Sequence, residues 1–206
     1  MSTIIRPRAS HEPLIIPNGD PVIVFESRIG AIVHFPVLED QGQGYVARTF
    51  EKYARSPGTR LIAVKDNKIY LQKEARLESL EQFDWRLPGG KVIDTFTEYK
   101  QYLGKSVPTG IILKAAIKEL QEEAHLTGDP ELFSRKVCGT TVEWDLYYVV
   151  VKNVVLFQLD HAHAEGEEVA ESGWFTFDEV RKMCEQGTIG EARSAAVLIE
   201  FIAGQS

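Results

Sequence analysis

Cysteine is scarce in this chain. Cys138 and Cys184 are the only two, too few and too far apart for a disulfide framework or a metal finger. Basic residues are also in deficit. Lys and Arg number 23 against 30 Asp and Glu, for a net charge of −7. That balance argues against broad electrostatic binding of nucleic acid. It leaves a phosphorylated small molecule open, because a bound cation inverts the local field. Long apolar runs are missing as well. Val149 to Phe157 is the most apolar stretch, and Lys152 and Asn153 interrupt it. No segment therefore reaches the length needed to span a bilayer. Residues 1–13 lack the apolar core of a signal peptide. The expectation is a cytoplasmic protein that engages neither membrane nor nucleic acid.

What remains is an ordinary globular composition, 44% hydrophobic and 26% charged over 206 residues, enough to bury a sizeable core. No internal repeat is visible. Residues 1–19, with Pro7, Pro13, Pro17 and Gly19, read as an extended arm. Pro21 to Glu26 and Gly30 to Pro36 are β-branched and aromatic, and a turn at Ser27 to Ile29 makes them a hairpin. Tyr45 to Tyr53 reads as a strand passing into a short helix. Asp66-Asn67 between Leu61–Val64 and Lys68–Gln72 is a strong hairpin signal. Residues 95–108 show no clear period.

From Ile111 onward Leu113, Ile117, Leu120 and Ala124 recur at near-helical spacing, ending at Thr127-Gly128-Asp129-Pro130. Trp144 to Leu159 is β-rich. Trp174 to Phe177 reads as a short strand. Asp178 to Glu185, capped near Thr176, and about Ile189 to Ile202 read as helices. The order implies a mixed sheet between helices.

Chemistry concentrates in Lys118-Glu119-Leu120-Gln121-Glu122-Glu123. Offsets of three and four return to one helix face, so three carboxylates are gathered there. Alone, such a triplet is most simply a solvated acidic face. The Pro88-Gly89-Gly90 turn upstream argues otherwise, since backbone there can approach a metal ion. Oxygen-rich clusters of this kind suit Mg²⁺.

Residues 115–126, Ala-Ala-Ile-Lys-Glu-Leu-Gln-Glu-Glu-Ala-His-Leu, resemble the second half of the Nudix hydrolase box, G-x5-E-x7-R-E-U-x-E-E-x-G-U with U aliphatic. The resemblance covers residues 57–206. The tail from Ser172 to Val180 and from Gly187 to Ser194, with Gln72-Lys73-Glu74-Ala75-Arg76 ahead of the turn, is similar to the ADP-ribose pyrophosphatase branch. Three departures stand out. Counted from Gly90, the box arginine falls at position 104, whereas the match is Lys118, an insertion of about 14 residues. Gly110 stands where the family has the glutamate associated with that arginine. His125 replaces the family's glycine, at a position that often needs φ > 0. Lys cannot supply the planar fork of Arg.

The resemblance implies an α+β fold: a Nudix α/β/α sandwich with a mixed sheet at 57–206, carrying an insert at about 91–108. Residues 1–56 would form a small β-rich segment that builds a homodimer. It implies Mg²⁺ (or Mn²⁺) held by Glu119, Glu123 and Glu122, with the Gly89 carbonyl and Glu167 as further contacts. Glu122 would also orient a bridging water. The catalytic base would come from Ala164-Glu165-Gly166-Glu167-Glu168-Val169, with Glu165 assigned and Glu168 as the rival. Arg76 and Arg86 would contact substrate phosphate, a surface ion pair being the alternative for Arg76 and a structural role for Arg86. Trp85 reads as core rather than a stacking platform. His161 and His163 read as solvated loop residues.

The activity implied is metal-dependent hydrolysis of the pyrophosphate bond of ADP-ribose or a related nucleoside diphosphate sugar. The alternatives are a dinucleotide polyphosphate or nucleoside triphosphate as substrate, or a Nudix fold kept as a ligand-binding or regulatory module.

Overall fold

The computed structural model describes residues 4–75, 83–158 and 169–205. In chain order the elements begin with β1 (Ile4–Arg6), β2 (Ile15–Pro17), β3 (Val22–Glu26), β4 (Ala31–Asp40), β5 (Tyr45–Ala54), β6 (Gly58–Lys65), β7 (Lys68–Ala75) and β8 (Phe83–Arg86). There follow α1 (Phe96–Tyr99), α2 (Thr109–Ala124), β9 (Leu126–Lys136), β10 (Val142–Glu143) and β11 (Leu146–Leu156). The chain closes with β12 (Val169–Thr176), α3 (Phe177–Glu185) and α4 (Ala192–Ala203). Contacts divide it into two units. One joins Met1–Ser56 with Ile93–Val107 and Val137–Trp144, and the other joins Pro57–Val92, Pro108–Lys136 and Asp145–Ser206.

The first unit is a six-stranded sheet in the order β1-β5-β4-β2, with β3 also on β4 and β10 on β5. The β3–β4 hairpin forms as its sequence implies, turned by Ser27–Gly30. The arm expected at residues 1–19 is partly strand, because β1 and β2 pair with β5 and β4. The helix expected near Tyr53 does not form. β5 pairs with β4 through an unbroken ten-residue register from Tyr45 to Ala54, and a ladder of that length overrides any local helical tendency. The aperiodic stretch after residue 94 holds α1, started by a capping box in which Thr95 and Glu98 exchange hydrogen bonds.

The second unit is a mixed sheet, β12-β7-β6-β11-β9, with β8 also on β7. Its centre is the parallel pair β6–β11. Leu146 to Val151 are all buried, the pattern of a strand covered on both faces. α2 packs on β6, β9 and β11, whereas α3 packs on α4, β7 and β12. The β6–β7 hairpin turns at Asp66 (φ 50°) and Asn67 (φ 56°), the two left-handed residues of a type I′ turn. Thr176 caps α3 through a capping box with Glu179.

α2 ends sooner than its sequence implies. His125 takes the left-handed conformation (φ 52°, ψ 38°) and bonds back to the Leu120 carbonyl. Residues 127–130 lie in β9 rather than ending a helix. Gly128 is not a terminator. A Cβ there would collide with the Lys152 carbonyl, where β11 bulges around Asn153 (φ 52°). Pro130 is tolerated because β9 is an edge strand.

His125 is exposed, so relieving its backbone strain removes little else. His125→Gly is expected to raise the thermal midpoint by about 1–4 °C, from roughly 0.5–1 kcal/mol of relieved strain. A thermal melt beside wild type checks it, and a lowered midpoint would show that the histidine side chain stabilises the end of the helix.

Candidate functional site

The site grows from the turn that joins β8 to the chain beyond it. The Thr59 N–H donates to the Gly90 carbonyl and the Leu61 N–H to the Pro88 carbonyl, each at 2.9 Å. Pro88-Gly89-Gly90 is thereby laid along β6. Gly89 (φ 153°) has no room for a side chain, because a Cβ would strike the Thr59 carbonyl. At Gly90 a Cβ would strike the carboxylate of Glu119. The two glycines thus bring backbone against both the sheet and the helix.

α2 buries Ile112, Ala116 and Leu120, a stripe of four-residue spacing. Glu119 and Glu123 lie one turn apart on its flank. The Gly89 N–H donates to Glu123 Oε2 at 3.0 Å. Gln72, fully buried on β7, donates from Nε2 to Glu74 Oε1 at 3.2 Å and toward Glu123 Oε2 at 3.4 Å. Glu74 is itself 2% exposed. Burial pushes the Glu123 carboxyl up to about 8. The Gly89 hydrogen bond opposes that rise, and the neighbouring charges of Glu74 and Glu119 add to it.

Beside this group sits a buried ion pair. Arg60 of β6 donates from Nε (2.8 Å) and Nη2 (3.2 Å) to the two oxygens of Glu191, and from Nη1 to the Thr59 carbonyl (3.0 Å). Ser194 donates to Glu191 Oε2 at 2.5 Å and lies 3.2 Å from the Tyr148 hydroxyl. Burial alone would raise the Glu191 carboxyl, but Arg60 and Ser194 hold it below the ordinary carboxylate range. Burial pushes the Tyr148 phenol up to about 12.

The residues named from sequence are placed unequally. Glu119, Glu123 and Gly89 converge. Glu122 is exposed, with the Lys118 ammonium 3.9 Å away. Arg86 is buried and ion-paired with Asp84 at 2.9 Å, and Asp84 in turn accepts the Gly190 N–H at 2.7 Å. Trp85 packs edge-on against Phe175, with ring centres 4.9 Å apart. Arg76, His161, His163, Glu165, Glu167 and Glu168 lie outside the described residues. Sequence reasoning gave no site role to Arg60, Gln72, Glu74 or Glu191, although the last three lie in segments that carry the family resemblance. A signal for two of them was present, since Gln72 and Glu74 sit two apart in a strand and so share a face.

The donor set fits a hard divalent cation. Glu119 and Glu123 offer carboxylate oxygens beside a glycine turn, and their mutual repulsion with Glu74 is what a cation relieves. Among the described residues, no group of three or more acidic, histidine or cysteine side chains is arranged to hold a metal ion. Glu119 and Glu123 are two of a set that backbone and water would complete.

No family model and no curated protein matches the chain. Among solved structures, an ADP compounds hydrolase matches with a TM-score of 0.63 at 18% identity, covering 97% of this chain and 98% of that one. A Nudix hydrolase from Nitrosomonas europaea gives 0.47 at 21% identity over 72% and 89%. A MutT Nudix hydrolase from Burkholderia pseudomallei gives 0.39 at 21% identity over 60% and 84%. The first match, across nearly all of both chains, defines the class: a mixed α+β protein, with two sheets and four α-helices among the described residues. The chain has the Nudix hydrolase fold. No helix among the described residues is long and apolar enough to cross a membrane.

Glu123 binds its proton more tightly in the folded protein (about 8) than at the ordinary value of 4.5. In metal-free protein its contribution to stability is therefore full below about 4.5 and is lost as pH rises through about 8. Glu123→Gln removes that dependence. In EDTA, the variant should gain stability relative to wild type between pH 5 and pH 8 by denaturant unfolding. Parallel pH profiles would refute the assignment.

Proposed function

We propose that this protein hydrolyses the pyrophosphate bond of ADP-ribose or a related nucleoside diphosphate sugar, using Mg²⁺ or Mn²⁺. The observation that carries the reading is the Glu119–Glu123 pair held against the Gly89-Gly90 backbone. The substrate class draws support from the ADP compounds hydrolase that shares the fold along 97% of this chain. A bound divalent cation supplies charge neutralisation of the pyrophosphate and activation of water.

The remaining roles belong to the chain. Glu119 and Glu123 would hold the cation, with the Gly89 carbonyl and Glu167 as further contacts. Glu122 stands at the exposed rim to orient water. Glu165 takes the proton from the attacking water, and Arg76 binds substrate phosphate. Arg86 contacts substrate phosphate in this reading, and the alternative, a structural role, draws support from its ion pair with Asp84. A homodimer accompanies this reading. Apolar side chains left exposed in the first unit, among them Leu14, Val22, Phe25 and Ile29, are the surface such a dimer would cover. Two free cysteines are in keeping with a cytoplasmic location.

A panel of ADP-ribose, other nucleoside diphosphate sugars, dinucleotide polyphosphates and nucleoside triphosphates, with Mg²⁺ or Mn²⁺, tests the reaction through release of AMP or phosphate. ADP-ribose or a diphosphate sugar should be preferred. Glu119→Gln and Glu123→Gln should each lower kcat/KM about 10²-fold or more. Glu165→Gln should lower kcat about 10²- to 10⁴-fold. Absence of turnover on every diphosphate would remove the hydrolase reading, and full activity in Glu165→Gln would remove that base.

Light scattering coupled to gel filtration tests the homodimer. The chain is 23.2 kDa, and twice that mass is expected. Phe25→Glu should shift the mass to that of a monomer; a wild-type monomer would end the dimer reading.

A further inference from the structure

We infer that Arg60, clamped by Glu191, is a positioning residue for the Glu119–Glu123 carboxylate pair. The inference rests on reading that pair as cation ligands. Arg60 is 7% exposed, and a buried charge on that scale is costly unless its hydrogen bonds are met. Three are met: two to Glu191 and one to the Thr59 carbonyl. The third decides the matter. Thr59 is the β6 residue against which Gly89 and Gly90 are laid. Its N–H holds the Gly90 carbonyl, and its own carbonyl fills the space a Gly89 side chain would need.

Arg60 therefore fixes the carbonyl packed against Gly89, in the same turn that meets the Glu123 carboxylate at 3.0 Å through the Gly89 N–H and the Glu119 carboxylate at Gly90. Glu191 is in turn held by Ser194, and Ser194 lies within hydrogen-bond distance of the Tyr148 hydroxyl. Hydrogen bonds run from the start of α4 through Glu191 and Arg60 to the Thr59 carbonyl, and the N–H of the same residue bonds the Gly90 carbonyl of the turn.

Stability is a weak reason for such a pair. Replacing a buried ion pair by apolar side chains of similar volume is often neutral or stabilising. Lys118, the cation on the helix itself, lies 3.9 Å from Glu122 with both side chains about half exposed. It does not supply the buried positive charge that Arg60 supplies next to Glu123 and Glu74. Location beneath the turn, rather than net energy, accounts for where Arg60 and Glu191 stand.

Charge and position predict opposite signs, which makes the inference testable with Mn²⁺ alone. Deleting a cation near a metal site favours metal binding by electrostatics, whereas loosening the turn disfavours it. The double variant Arg60→Met/Glu191→Leu removes both charges together and isolates position. Mn²⁺ affinity is read by electron paramagnetic resonance, alongside the melting midpoint and steady-state kinetics. The expected result is a folded protein that binds Mn²⁺ about 10-fold more weakly or worse, with kcat reduced more than KM is raised. An Mn²⁺ Kd within about twofold of wild type, or tighter, overturns the inference and leaves the pair as packing. Should the double variant not fold, Arg60→Lys keeps the charge and loses the planar fork. It should bind Mn²⁺ at least about threefold more weakly, and unchanged affinity overturns the inference equally. Wild type failing to bind Mn²⁺ would instead remove the proposed function, a result distinct from either variant outcome.

Discussion

Everything in the second unit depends on one close approach: two carboxylates of α2 meeting the backbone of Gly89 and Gly90. A side chain at either glycine would collide, at one with the Thr59 carbonyl and at the other with Glu119. The contact therefore demands glycine at position 89, a Glu119 carboxylate seated where a Gly90 side chain would stand, a helix at a fixed height above the sheet, and a β6 strand that holds the turn flat. The apolar stripe Ile112, Ala116 and Leu120 sets the height of the helix. The hydrogen bonds from Thr59 and Leu61 flatten the turn. β6 is itself fixed by its parallel pairing with the fully buried stretch of β11. Remove any of these and the carboxylates lose their register with the backbone donor.

Gathering anions has a cost that the surroundings partly offset. Glu74, Glu119 and Glu123 repel one another, and burial adds to that repulsion by withdrawing water. Gln72 responds with a neutral donor shared between Glu74 and Glu123. The Gly89 N–H contributes a second donor, and Arg60 a full positive charge close by. These partners lower the cost without abolishing it, since Glu123 still titrates near 8. A site left with residual like-charge repulsion is one in which a cation gains more than it would at a neutralised surface.

The parts legible from sequence were those with local causes. Asp66-Asn67 is a turn because two consecutive residues tolerate φ > 0. Thr176 and Glu179 cap α3 because the two side chains reach each other's backbone. Glu119 and Glu123 share a face because helices repeat at 3.6 residues. What escaped was what tertiary pairing decides. β9 reads as a helix stop because of Gly128, Asp129 and Pro130, yet it is an edge strand with Gly128 packed under a bulge. β5 reads as half helical but has a ten-residue partner. Arg60 and Glu191 stand 131 residues apart, and no window of sequence joins them.

The departures from the Nudix pattern look different once placed. A Cβ on Gly110 would meet nothing within 4 Å, so that position in the first turn of α2 faces open space. Lys118 and Glu122 form a half-exposed pair, of a kind that contributes little to stability. His125 accepts the left-handed end of the helix that glycine would accept more cheaply. Gly110 faces open space, the Lys118–Glu122 pair is half exposed, and His125 alters how α2 ends. The contacts that impose a geometric demand run through Gly89, Gly90, Gln72 and Thr59, and at those positions the side chains and glycines meet it. The carboxylate platform is thus bound to the sheet through the Gly89 N–H and Gln72, and its fixed points are the backbone of β6 and the turn.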